Sequence, residues 1–236
     1  MKKLLIFGSI IMLALISFGC SMFTGGDKVK TDGGSFTIEK DDATELDVQI
    51  EMGVGELTVA KGSDDWVEGS FDTNTKELEP IITYKKGSVV IEHKDHKGIR
   101  IGKIKNQWEL ALSDNIPIDL SVDTGASSAT LDLQQLQLNK LNVETGVGEL
   151  NLNLSGDRKK GFKANIQTGV GSAIIILPSD VGVKIKTDSG IGNIEASDLI
   201  SKGNGVYVNE AYENADVIIE IVAEVGVGEM VFELDK

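Results

Sequence analysis

The chain has 236 residues, a formal net charge of −14 at neutral pH and one cysteine. That length can bury a substantial core, while the charge excludes a nucleic-acid footprint, which needs a basic surface. A single thiol excludes an intramolecular disulfide and any zinc site built on two or more cysteines. Aromatic residues make up 5% of the chain against 27 glycines, and abundant Val, Ile, Leu and Thr beside them suit many short strands joined by tight turns.

Lys2 and Lys3 precede an uncharged apolar run, Leu4 to Phe18, which ends at Gly19-Cys20. The run is shorter than the about 20 apolar residues of a membrane span and has the layout of a secretory signal. A cysteine after a small residue at this point resembles the lipobox of bacterial lipoproteins. Gly19 fits that box, and Ser17 stands where Leu is usual. The resemblance implies a signal peptide over residues 1–19, lipid attachment at Cys20 and an extracytoplasmic, membrane-anchored address. The alternative is a plain secretory signal with an incidental thiol. Residues 20–34 contain Gly25-Gly26 and Gly33-Gly34 and no hydrophobic period, so they read as a flexible tether.

Residues 35–236 read as one all-β domain. Phe36 and Ile38 alternate, Lys40 to Thr44 form a polar turn, and Leu46, Val48, Ile50 and Met52 alternate up to Gly53-Val54-Gly55. Leu57 and Val59 resume beyond it. Period two on both sides of a glycine break means two strands meeting at a bend. Residues 60–117 are less regular. Trp66, Val67 and Phe71 suggest a strand, Lys85-Lys86-Gly87 separates two runs as a hairpin would, and Gln107 to Leu112 alternates. This middle region is either a set of irregular rungs or an antiparallel excursion.

From residue 118 a phrase recurs: Thr124-Gly125-Ala126-Ser127, Thr145-Gly146-Val147-Gly148, Thr168-Gly169-Val170-Gly171, Ser189-Gly190-Ile191-Gly192 and Val225-Gly226-Val227-Gly228. Its central residues lie 21, 23, 21 and then 36 apart, and the excess falls on Ser201 to Asn214, read as an inserted loop. A repeat of about 21–23 residues is the signature of a solenoid, here a parallel β-helix-like one. In that register Leu120, Val122, Leu141, Val143, Ala164, Ile166, Ile221 and Ala223 face inward before the bend. Ala129, Leu131, Leu133, Leu150, Leu152, Leu154, Ala173, Ile175, Leu177, Met230, Phe232 and Leu234 do so after it. Gly53, Gly55, Gly125, Gly146, Gly148, Gly169, Gly171, Gly190, Gly192, Gly226 and Gly228 are expected at the corners, where neighbouring rungs leave little room for a Cβ. Thr124, Thr145, Thr168 and Ser189 are expected to stack as a hydroxyl ladder.

The phrases Gly53-Val-Gly-Glu-Leu-Thr-Val59 and Trp66-Val-Glu-Gly-Ser-Phe71, with the repeated Thr-Gly-Val-Gly, resemble the toast-rack domain. That domain is similar to the extracytoplasmic part of LiaF-type cell-wall stress proteins and to other adhesin-like bacterial envelope proteins. The resemblance covers roughly Phe36 to Leu234 and implies a β-solenoid of short parallel rungs. Its motifs are structural glycines, so it transfers no catalytic residue.

Chemistry is sparse. His93 and His96, with Glu92 or Asp95, form one conceivable metal site, and a solvated charged loop is the preferred reading. Glu56, Glu149 and Glu229 follow the corner, but Ser172 and Asn193 interrupt any carboxylate column there. No Gly-x-Gly opens a helix, as a nucleotide loop would. Glycan-cleaving β-helices use clustered Asp, Lys and Arg, whereas the arginines here are Arg100 and Arg158 and no acidic pair recurs at a shared face position. Ile174, Ile176, Ile218 and Val222 point outward, a patch that the Ser201–Asn214 loop is expected to cover. The expectation is a non-catalytic, lipid-anchored envelope module with no cofactor and no metal. Its membrane contact runs through the N-terminal lipid, and its partner is an envelope protein or glycan. The alternatives are a glycan-active β-helix enzyme and a structural spacer.

Overall fold

The computed structural model describes residues 26–93 and 104–235. Its strands are β1 (Asp27–Lys28), β2 (Ser35–Ile38), β3 (Leu46–Lys61), β4 (Val67–Thr73), β5 (Pro80–Lys85), β6 (Ser88–His93), β7 (Asn106–Leu112), β8 (Ile118–Asp132), β9 (Leu138–Asn153), β10 (Lys163–Leu177), β11 (Gly182–Glu195), β12 (Ile200–Gly203), β13 (Val206–Val208) and β14 (Ile218–Leu234). Two short 3₁₀ turns, Lys76–Leu78 and Glu210–Asn214, complete it.

The long strands cannot be straight. β8 has 15 residues, about 50 Å if extended. The next strand starts beside its beginning, with Ile118 opposite Leu138. Residues 133–137 alone make the return, and they span at most about 17 Å. Each long strand therefore folds back near its middle, at the glycine phrase, and one strand makes two faces of a rung. Hydrogen bonding continues on both sides of the bend, because residues before and after it hold the same partner strand.

Rungs β3, β8, β9 and β10 stack in parallel and in chain order, but β14 then lies between β10 and β11. The 36-residue interval is thus no ordinary rung with a loop inserted. After β11 the chain makes the antiparallel β12–β13 hairpin, which pairs with β11 over Lys184–Lys186, and then returns to fill the gap. Interposition gives the inward residues of β14 a neighbour on each side, with Ile221 registered against both Ala164 and Ile185.

The middle region resolves into both of its expected alternatives. β6 pairs in parallel with Asp47–Glu51 of β3, and β7 pairs in parallel with Glu56–Lys61 of the same strand. Together they form one rung divided at the corner. β5 and β4 lie antiparallel on the outer edges of these halves. β2 pairs with β4 and β1 with β5.

Residues 27–34 correct the expected tether. Asp27 and Lys28 pair with Tyr84 and Thr83, and the Val29 amide donates to the Ile82 carbonyl at 3.0 Å. This contact is made by backbone along a sheet edge, which needs no apolar period and so leaves no trace in the sequence.

One hydrophobic core runs the length of the array. Every inward position named from the repeat is buried except Leu234, which is half-buried at the end of its strand. Arg158 has a role that the pattern did not suggest. It is 8% exposed, in the connection between β9 and β10. Its guanidinium donates to the carbonyls of Leu136 (2.7 Å), Leu133 (2.9 Å) and Leu154 (3.0 and 3.3 Å) and lies over the Phe162 ring. Burial lowers its pKa to about 10, so it stays charged at neutral pH. The fork ties together the turns of successive rungs, as a second donor to the Leu133 and Leu136 carbonyls and the donor to Leu154, a geometry lysine does not reproduce. Arg158→Met takes the donors from the Leu154 carbonyl, at about 1–3 kcal/mol, while the Leu133 and Leu136 carbonyls keep the amides of Leu136 and Leu138. Denaturant unfolding should show a loss of about 2 kcal/mol, with Arg158→Lys recovering less than half of it.

Candidate functional site

The corner sets the surface of the molecule. Gly53, Gly125, Gly146, Gly169, Gly226 and Gly190 form one column across successive rungs. A Cβ at Gly146 would lie 2.7 Å from the Gly125 carbonyl oxygen, and one at Gly169 or Gly226 would lie 2.5 Å from the carbonyl of the preceding rung. What this column requires is close approach. Gly55, Ser127, Gly148, Gly171, Gly228 and Gly192 form the second column. There φ is +140° at Gly148 and +143° at Gly171, and an added Cβ would run into the carbonyl of the rung beneath. Both demands, left-handed backbone and absence of a side chain, meet at these positions. Ser127 holds the equivalent place in β8 without a positive φ, its hydroxyl buried.

Just before the first glycine, Thr124, Thr145 and Thr168 are buried side by side under the corner. The ladder is three residues long, not four. Val225 follows Thr168, and Ser189 lies beyond it on the exposed end rung. The interposed β14 is the reason.

Three residues before each apex the register assembles a row that the sequence reading missed: Glu92, Glu51, Asp123, Glu144, Gln167, Glu224 and Asp188. Six of its seven places are carboxylates, at the about 4.8 Å spacing of adjacent strands. The expectation that no acidic pair shares a face position is therefore corrected, since Glu51, Asp123 and Glu144 are direct neighbours. Counting three residues back from the apex, instead of two forward, would have found the row. The row two residues forward reads Glu56, Ser128, Glu149, Ser172, Glu229 and Asn193, with no two carboxylates adjacent. Crowding by the sheet strips water from Asp123 and raises its pKa above the ordinary 3.8, although the side chain still meets solvent.

A cleft of about 430 Å³ lies over this row, with Gln49, Ser121, Lys140 and Asn142 among its walls. A larger one, about 770 Å³, opens between the N-terminal segment, β4 and β7, lined by Asp72, Glu79, Glu109, Ser70 and Thr31, with the Phe71 side chain packed against the core beneath. Both volumes fall in the range of small-molecule clefts. Lys105 forms an ion pair with Asp72 at the rim of the larger.

His93 is engaged in packing. Its Nε2 meets the Glu77 carbonyl at 3.0 Å and its ring stands edge-on to Trp108, 6.2 Å between centroids. Among the described residues no three His, Cys, Asp or Glu side chains are placed to hold a metal ion. Cys20, Asp95, His96 and Arg100 lie outside the described residues. The apolar patch is not covered as expected: Ile174, Ile218 and Val222 are exposed. The Ser201–Asn214 segment pairs beyond β11, and β14 separates it from β10.

The arrangement defines a class, an all-β rack of parallel, corner-folded rungs. Residues 27–176 match the profile of the N-terminal domain of toast_rack, DUF2154, and the chain belongs to that family. It is similar to the crystal structure of a candidate cell adhesion protein from Clostridium sporogenes, at 29% identity and a TM-score of 0.82, over 85% of this chain and 98% of that one. A candidate adhesin from Bacteroides fragilis aligns over 81% of this chain and 94% of its own at 14% identity, and its TM-score of 0.35 gives it no weight. No curated protein matches the chain.

Two outcomes test this geometry. Gly171→Ala meets both backbone strain and a carbonyl, so thermal or denaturant unfolding should show a loss of about 3 kcal/mol or more. Gly203→Ala, where φ is +85° and nothing lies within 4 Å, should cost only the strain, about 1–2 kcal/mol. The raised pKa of Asp123 means that its ionised form is disfavoured in the folded state, so its cost is full at neutral pH and vanishes as pH falls to the unfolded value. Asp123→Asn should thus raise the melting temperature slightly at pH 7, the gain being small because the side chain meets solvent. The gain should disappear below about pH 4.

Proposed function

We propose that this protein is a non-catalytic module of the bacterial cell envelope, anchored by a lipid on Cys20, which holds a partner outside the membrane in the manner of an adhesin. The observation that carries the reading is the likeness to the candidate cell adhesion protein, which extends over nearly the whole of that chain. The layout of residues 1–20 supports the address, since a basic start, a short apolar run and Gly19-Cys20 follow in the order a lipoprotein signal requires. Only six residues separate Cys20 from β1, a reach of about 20 Å at most, so the rack would stand close to the bilayer.

The larger cleft favours a glycan among the partners. Asp72, Glu79 and Glu109 with Ser70 and Thr31 offer acceptors and donors for sugar hydroxyls.

Fractionation of cells carrying Cys20→Ala tests the anchor. The variant should leave the membrane for the soluble secreted fraction, and membrane retention would sink the lipid reading. Incubation of the purified protein with cell-wall glycan should give binding without new reducing ends, and their release would replace the module with an enzyme.

A further inference from the structure

The residues between the paired glycines form a feature that the adhesin reading leaves unused. Val54, Ala126, Val147, Val170, Val227 and Ile191 occupy the apices of β3, β8, β9, β10, β14 and β11 in unbroken register. Val147 is 54% exposed, Val170 47%, Val227 45% and Ile191 87%. Val54 is half-buried and Ala126 has Ser127 on one side. At the other four apices glycines on both sides remove the side chains that would shield them, so from Ala126 to Ile191 the apices stand as an apolar ridge. Its five exposed rungs at about 4.8 Å make it about 19 Å long.

Charge surrounds the ridge on both flanks. The acidic row runs along one side, and Glu56, Glu149 and Glu229 stand along the other. Among the described residues no lysine or arginine stands in the ridge or in either flanking row of these rungs, and Lys105, beside Val54 and Glu56 at the β3 end, is paired with Asp72. A second copy of this chain, carrying the same carboxylates and a net charge of −14, is repelled. An anionic bilayer surface is repelled for the same reason.

We propose that the ridge docks a basic amphipathic helix of another polypeptide, an inference that rests on reading the chain as a binding module and names its protein partner by chemistry. Spacing selects a helix over a strand. A helix repeats its apolar stripe every 5.4 Å, near the rung spacing, whereas side chains on one face of a strand recur every about 6.6 Å. The ridge length matches about 13 helical residues, within the length of a 16-residue peptide. Val, Ile and Ala side chains seat between the rows of the apolar face, and lysines or arginines beside that stripe reach the carboxylates on both flanks.

The test uses the full-length chain in nanodiscs of zwitterionic lipid, with empty discs as the blank, and a labelled 16-residue helical peptide bearing a leucine stripe flanked by lysines. The peptide should bind, while versions with glutamates for lysines or serines for leucines should not. Val147→Ser/Val170→Ser/Val227→Ser should weaken binding about tenfold or more, with the unfolding transition unchanged because these side chains are exposed. Should that triple variant unfold, Ile191→Lys on the end rung gives the same reading by placing a cation on the ridge. Glu144→Gln/Glu224→Gln should weaken binding and flatten its dependence on salt. Equal binding of the acidic or serine peptide overturns the proposal, as does undiminished binding by the ridge variants or no binding at all. Self-association that the ridge variants abolish overturns it in favour of a second copy. A chain that follows Cys20 to the membrane yet ignores the peptide overturns the ridge alone.

Discussion

The structure depends on the approach of one backbone to another at the corner. A rung folds back on itself within two or three residues while its neighbours stack at strand spacing on either side. At Gly146 and Gly169 the carbonyl of the preceding rung lies where a side chain would begin, and at Gly148 and Gly171 the bend also requires left-handed backbone. Because the corner can be made, a 15-residue strand presents two faces to one core. Because it is made in the same register each time, residues at equal distances from the apex stack in rows. Those rows are the surface the protein offers to its surroundings.

Much of this was legible from the chain alone. Alternation about each glycine phrase placed Leu141 and Val143 inside before the bend, and Leu150, Leu152 and Leu154 inside after it. The break at Lys85-Lys86-Gly87 marked the hairpin of β5 and β6. These readings succeed because burial and chain reversal act on neighbouring residues, whose types must comply. The rest depends on which strands become neighbours. A repeat fixes the position of a residue within its rung and says nothing of the order of rungs, so the placement of β14 was hidden. With it were hidden the truncated threonine ladder and the exposed Ile174 and Val222. The division of one rung into β6 and β7 escaped for the same reason.

The acidic row shows a different limit. Glu51, Asp123 and Glu144 are each unremarkable as exposed strand residues, and only stacking makes them a row. Arg158 is a third case. Its sequence neighbours, Asp157 and Lys159, suggest a solvated turn. Burial follows from the carbonyls of Leu133, Leu136 and Leu154 that converge on it from two turns, positions that no local pattern connects. The site evidence was thus distributed across rungs, whereas the fold evidence was local.

The interposed position of β14 bears on how the molecule comes into being. Rungs β3, β8, β9 and β10 can each settle on their predecessor as the chain emerges, growing the stack from one end. β11 cannot join in turn, because its neighbour in the finished array is the last strand to appear. It must wait, with its hairpin, until the carboxyl-terminal segment arrives to bridge it to β10. The terminal third of the rack is therefore assembled by closure instead of by accretion, and a chain cut short before residue 218 would carry an orphaned rung. Arrival of β14 and completion of the stack are one event.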